Sequence, residues 1–122
     1  MREEVKNWWK QALSDLKNAK LNVKVGACDV AAFLSHQAAE KALKALFILK
    51  KHRLWKTHDL VGLASRMDAP EDILKVCDEL NPHYIATRYP VEVEYNEEIA
   101  KTTLKKAKKV LEWAEKSIGK NE

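Results

Sequence analysis

A chain of 122 residues, 46% hydrophobic and 33% charged with net charge +4, has room for one domain with a modest core. Only three Gly and three Pro among so many helix formers favour an all-α fold over a β-sandwich. No apolar run approaches the roughly 20 residues of a membrane span, and the charged start MREEVKNWWK lacks a secretory core, so a cytoplasmic location is expected.

The first predicted helix covers residues 3 to 24. Val5, Trp9, Ala12, Leu13, Leu16, Ala19 and Val23 recur at spacings of three and four and form one apolar stripe. Gly26 breaks it, and Asp29 supplies a cap or first-turn anion for a second helix running to about Lys50. There Val30, Leu34, Ala38, Ala42, Ala45 and Leu49 make one face, broadened by Phe33, Leu43, Leu46 and Phe47. A helix apolar over so much of its girth is central. Thr57 is positioned to cap a short third helix over 58 to 67. Asp68-Ala69-Pro70-Glu71 starts a fourth, which buries Ile73, Leu74, Val76, Cys77 and Leu80. Pro82 kinks its end through Tyr84 and Ile85, and Pro90 stops the chain firmly. VEVEY, 91 to 95, alternates like a strand but has no partner strand, and reads as an extended linker. Asn96 caps the last helix, whose stripe is Ile99, Thr103, Ala107, Val110, Ala114 and Ile118, ending at Gly119. The sum is an antiparallel up-and-down four-helix bundle with an additional short helix, in a single domain over 1–122.

Charge is placed in blocks. Lys41, Lys44, Lys50, Lys51, Arg53 and Lys56 are followed by His58 with no acid between them. Glu92, Glu94, Glu97 and Glu98 make an acidic stretch, and Lys101, Lys105, Lys106, Lys108 and Lys109 a second basic one. Each basic block reads as solvated surface or as an anion-facing patch. Cys28 and Cys77 stand alone and are expected as buried thiols rather than a disulfide or zinc site. The richness in Lys and Glu is compatible with a thermophilic source.

Candidate chemistry is sparse. No Gly-rich phosphate loop, H-E-x-x-H or nucleophile elbow is present, so neither metal nor cofactor is expected. His36 reads as a core histidine, Glu40 and Lys44 as an i,i+4 pair, and His58 as a residue at a helix start. HYIATRYP, 83 to 90, gathers His83, Tyr84, Arg88 and Tyr89 beside a proline. The Arg88 fork suits phosphate or carboxylate, and the tyrosines can stack on a base or on the guanidinium. The competing role for Arg88 is an internal salt bridge to Glu92, Glu94 or a neighbouring helix. Four tryptophans, Trp8, Trp9, Trp55 and Trp113, exceed what a small core hides and suggest a homodimer.

Four segments in order resemble the HEPN domain family: W-x2-QA-x-SDL-x2-A from Trp8 to Ala19, HQAAEKALKAL from His36, THDL-x2-L from Thr57, and Y-x3-RYP from Tyr84. The resemblance is to the subgroup encoded beside a minimal nucleotidyltransferase, in pairs that behave as toxin–antitoxin modules. It implies a homodimeric bundle binding nucleotide, RNA or a nucleotidyltransferase partner through a cleft lined by Tyr84, Arg88, Tyr89, His58, Arg53 and Lys44. Active members of the family are metal-independent ribonucleases carrying R-x4-6-H, with histidine as base and arginine on the scissile phosphate. Arg88 fits the arginine, but Glu92, Val93, Glu94 and Tyr95 supply no histidine. His83 and His58 are the substitutes at hand, and Arg53 with His58 matches the spacing at another place. A non-catalytic or catalytically weakened binding domain leads, with the ribonuclease and a purely structural dimerisation module as alternatives.

Overall fold

The computed structural model describes residues 2–90 and 93–121. Its regular elements among these residues are all helices: α1 Glu3–Lys24, α2 Cys28–Lys51, α3 Leu60–Ser65, α4 Glu71–Leu80, α5 His83–Ala86 and α6 Glu97–Lys120. The expected bundle is present, with two short pieces rather than one. Pro82 separates α5 from α4 as a single turn of its own. α2 lies at the centre, packing along α1 on one side and α6 on another, with α3 and α5 against it and α4 closing on α6.

Local chemistry explains the boundaries. Gly26 adopts a left-handed φ of 78° in the α1–α2 turn, a conformation that side chains with a Cβ resist. Asn96 caps α6 by accepting the Ile99 amide at 2.9 Å. Glu71 and Asp72 sit at the positive end of α4 behind Pro70. The third helix is shorter than the spacing predicts, because Thr57 does not cap it. Its hydroxyl instead accepts the Asp59 amide at 3.1 Å. Residues 91 and 92 of the VEVEY linker, Glu92 among them, lie outside the described residues, and 93–95 are not helical.

The core takes Leu43, Leu46, Phe47 and Ile48 from α2, with Leu60, Leu63, Leu80, Val110 and Val5 from its neighbours. Each such side chain contributes about 1.5–3 kcal/mol of burial. Ala12, Ala38, Ala42 and Ala114 are fully buried where α1, α2 and α6 meet, so small side chains let three backbones approach. Val30 and Leu13 are corrections to the predicted stripes, at 43% and 45% exposure. α2 buries Ala31, Ala32, Ser35 and His36 instead. The cysteines also differ from expectation: Cys77 is buried and its thiol pushed up to about 12 by burial and by Asp59, but Cys28 is only partly covered. All four tryptophans pack against this core as partly buried residues. Trp55 lies against Phe47 at 5.9 Å and under the Arg66 guanidinium at 4.2 Å.

Asn81, just past α4, ties this end of the fold together. Its Oδ1 accepts the Leu60 amide at 2.8 Å and its Nδ2 donates to Asp59 at 2.9 Å. Asn81→Ala is expected to lower unfolding free energy by about 1–3 kcal/mol. Asn81→Asp, which sets a carboxylate against Asp59, should be more stable at acidic than at neutral pH; urea titrations of both variants check this.

Candidate functional site

On α2, positions 29, 33, 36, 40, 44, 47 and 51 follow one another at three and four residues and so share a face. Two of them are charged and buried: Glu40 and Lys44, whose side chains are 4% and 7% exposed. The Lys44 ammonium lies 2.9 Å from Glu40 Oε2 and 5.5 Å over the Trp8 ring. The other carboxylate oxygen, Oε1, accepts from His58 Nδ1 at 2.7 Å.

That contact requires the chain to double back. α2 ends at Lys51, where His52 takes a left-handed φ of 57°, and residues 52–59 return along the helix by about 16 Å to reach the height of Glu40. His36 anchors the return, its Nε2 donating to the His58 carbonyl at 3.2 Å. Burial lowers the pKa of His36, so it is neutral at pH 7 with one ring donor to spend there. His58 itself is half exposed. With Nδ1 donating to Glu40, its Nε2 is left for a ligand.

From the other side comes α5. The Tyr84 ring stacks on His58 at 4.0 Å and 17°, and also meets His36 and Phe33. The exposed Arg88 guanidinium lies 4.6 Å from the Tyr84 ring and 5.7 Å from Tyr89. It makes no ion pair among the described residues; of the salt bridges considered from sequence, the one to Glu94 is not formed, and Glu92 lies outside those residues. One ring thus carries His58 and Arg88 together, with Glu40 and Lys44 behind. A rigid imidazole beside a planar cation, both open to solvent, suits a phosphate-bearing ligand.

The remaining candidates go elsewhere. Lys44 is covered, and reaches the site only through Glu40. Arg53 lies over Phe47 at 5.6 Å. His83 is bonded through Nδ1 to the Tyr95 hydroxyl at 2.7 Å, in a small cleft of about 190 Å³ that includes Glu98 and Lys106. Burial first, and then the Lys106 charge, lower its pKa. Glu40 is the residue that local spacing undervalued: it reads as half of an i,i+4 pair, and nothing in the sequence ties it to a histidine 18 positions away. Among the described residues no group of three His, Cys, Asp or Glu is placed to hold a metal ion. No helix among them is long and apolar enough to cross a membrane.

The HEPN domain family model matches residues 5–117. The chain belongs to the HEPN family. Among solved structures, TT1696 from Thermus thermophilus superposes with a TM-score of 0.88 at 29% identity, covering 95% of this chain and 99% of that one. ST0689, described as an archaeal HEPN homologue, gives 0.82 at 30% identity over 99% and 100%. A HEPN domain protein from Thermotoga maritima gives 0.58 at 26% identity over 94% and 93%. No curated protein matches. In this HEPN domain the polar cluster around His58 is supplied by the α2–α3 loop.

Two expectations test this site. Glu40→Ala strands the Lys44 charge and should cost about 3–5 kcal/mol, whereas replacing both Glu40 and Lys44 by Met should cost far less; denaturant midpoints decide. His36 and His83 both have folded-state pKa values below the ordinary 6.5, so the unfolded chain binds more protons in acid. Their contribution is complete above about 6.5 and declines as pH falls toward the lowered values, and His36→Gln should flatten that slope in unfolding measured between neutral and acidic pH.

Proposed function

We propose that this HEPN domain binds a phosphate-bearing ligand, a nucleotide or RNA, through Arg88, His58, Tyr84 and Tyr89. It acts as a homodimer in a module with a minimal nucleotidyltransferase, of toxin–antitoxin type. The observation that carries the reading is Arg88: an exposed guanidinium held by two aromatic rings and spending no donor on a carboxylate among the described residues. Held by two rings, its fork is pre-organised for a phosphate, so little entropy is lost on binding. Tyr89, at 55% exposure, offers a ring for a base to stack on. His58 adds a second polar contact from the opposite element.

A second reading, the metal-independent ribonuclease, is favoured by one geometric fact. Glu40 fixes the tautomer of His58, as a carboxylate does behind a general base. His58 is therefore the better base than His83, whose Nδ1 is engaged with Tyr95.

Fluorescence anisotropy with ATP and with a short single-stranded RNA separates these readings. Arg88→Ala should weaken binding by about ten- to a hundredfold, the loss of a charge-assisted, bidentate contact. Unchanged affinity contradicts the binding reading. Cleavage in EDTA leaving cyclic phosphate ends, abolished by His58→Ala, would establish the second.

A further inference from the structure

One flank of α1 carries charge and apolar surface that the phosphate site does not use. Trp8 marks the side of α1 that meets Lys44. Roughly half a turn away, Lys6, Lys10, Lys17, Lys20 and Lys24 fall within about a quarter-turn of one another, and all five are exposed. Leu13 lies among them and Leu21 beside them, 45% and 47% exposed. The stripe is about 27 Å long. None of its lysines has an acidic partner among the described residues. Asp15 of the same helix is committed to Lys41 of α2 at 2.7 Å. The basic block of α6 differs, since Lys101, Lys106 and Lys109 have Glu97, Glu79 and Asp72 at 2.7, 3.6 and 3.3 Å.

Beside the stripe, α1 and α6 leave a groove of about 240 Å³. Its floor is Trp9, Leu13, Leu16 and Leu111, packed on the layer of Ala12, Ala38, Ala42 and Ala114. The α6 rim adds Lys108, then Glu112 and Glu115, neither carboxylate holding a base among the described residues. The groove is therefore apolar along its floor, basic on the α1 side and acidic toward one end of the α6 side. A flat bilayer would reach the half-exposed leucines but not the recessed floor. A nucleic acid would use the lysines and leave the apolar floor empty, with no exposed aromatic ring on this flank for a base to stack on. A second copy would set six lysines and two glutamates against the same set, so like charge would dominate. An amphipathic helix matches all three features at once: its ridge of apolar side chains enters the groove while its flanks meet the two rims.

We infer that the α1–α6 groove docks an amphipathic helix of a protein partner, with aliphatic residues at i, i+3, i+4 and i+7 on the floor. Acidic residues on one flank of that helix face Lys10, Lys17 and Lys20, and a base on its other flank faces Glu112 and Glu115. The surface lies away from Arg88 and His58 and does not depend on the ligand site proposed above.

A synthetic helix tests it. The probe is a labelled peptide of about 18 residues, matched to the length of the stripe, with leucines at that spacing, glutamates along one flank and lysines along the other. Its control is a peptide of the same composition in scrambled order. Fluorescence anisotropy at low salt should show the striped peptide binding at least about tenfold more tightly than the scrambled one, and more weakly as salt rises. Leu13→Glu, and Lys17→Glu with Lys20→Glu, should each weaken it about tenfold or more, while Arg88→Ala leaves it unchanged. Circular dichroism confirms that the variants are folded, and should Leu13→Glu fail to fold, the double lysine variant carries the comparison. Failure of the striped peptide to bind, equal binding of the scrambled one, or binding indifferent to the α1 variants would overturn the proposal. So would phosphatidylglycerol vesicles, a short single-stranded RNA or self-association engaging this flank instead, each read as binding that Lys17→Glu with Lys20→Glu abolishes while the striped peptide fails to compete.

Discussion

A carboxylate in the middle of α2 organises the rest of the molecule. Glu40 is nearly inaccessible, yet it is shared between the Lys44 ammonium at 2.9 Å and the His58 imidazole at 2.7 Å. Taking such groups out of water is expensive, and well-packed apolar residues in their place are often as stable or more so. The cluster therefore contributes little as a source of stability. What it supplies is position: a loop that has left the end of α2 is drawn back along the helix until His58 lies flat against Tyr84.

The scaffold around this cluster is ordinary helix packing adapted to hold it. Alanines at 12, 38, 42 and 114 let α1, α2 and α6 close on one another, and the large side chains of α2 between Leu43 and Ile48 fill the space toward α3 and α4. The histidine site sits beside the rigid part of the core. Gly62 shows how tight the corner is, since a Cβ there would stand 2.7 Å from Asp59 Oδ2 and 3.0 Å from the Trp55 ring. Asp59 in turn receives Asn81, so the element before α5 and the loop bearing His58 are fastened to the same point.

The long elements were legible because their physics is local. Glu3–Lys24, Cys28–Lys51 and Glu97–Lys120 follow the apolar spacing and, at Asn96, the cap. Departures begin where a residue serves a distant partner. Residues 57–59 read as the start of a helix, but their polar groups are spent on Glu40, His36 and Asn81, and α3 waits until Leu60. Val30 and Leu13 fit a stripe by spacing and face outward, because which side of a stripe is covered depends on the neighbouring helices. Within the site, Tyr84, Arg88 and Tyr89 were recognisable as a constrained group beside a proline. That His58 joins them and His83 does not was invisible, since an eight-residue connection does not announce that it folds back. Trp55 likewise finds Phe47 and Arg66 across the fold, contacts no sequence window contains.

The central claim is that His58 and Arg88 form one ligand-facing unit on the Tyr84 ring and that His83 lies outside it. Nitrogen-15 NMR of the imidazole and guanidinium groups, followed while a short single-stranded RNA is titrated in at neutral pH, addresses this directly. Resonances of His58 and the Arg88 side chain should move together along one binding curve while those of His83 stay in place. Movement centred on His83, or a titration that leaves His58 and Arg88 unmoved, would contradict the account.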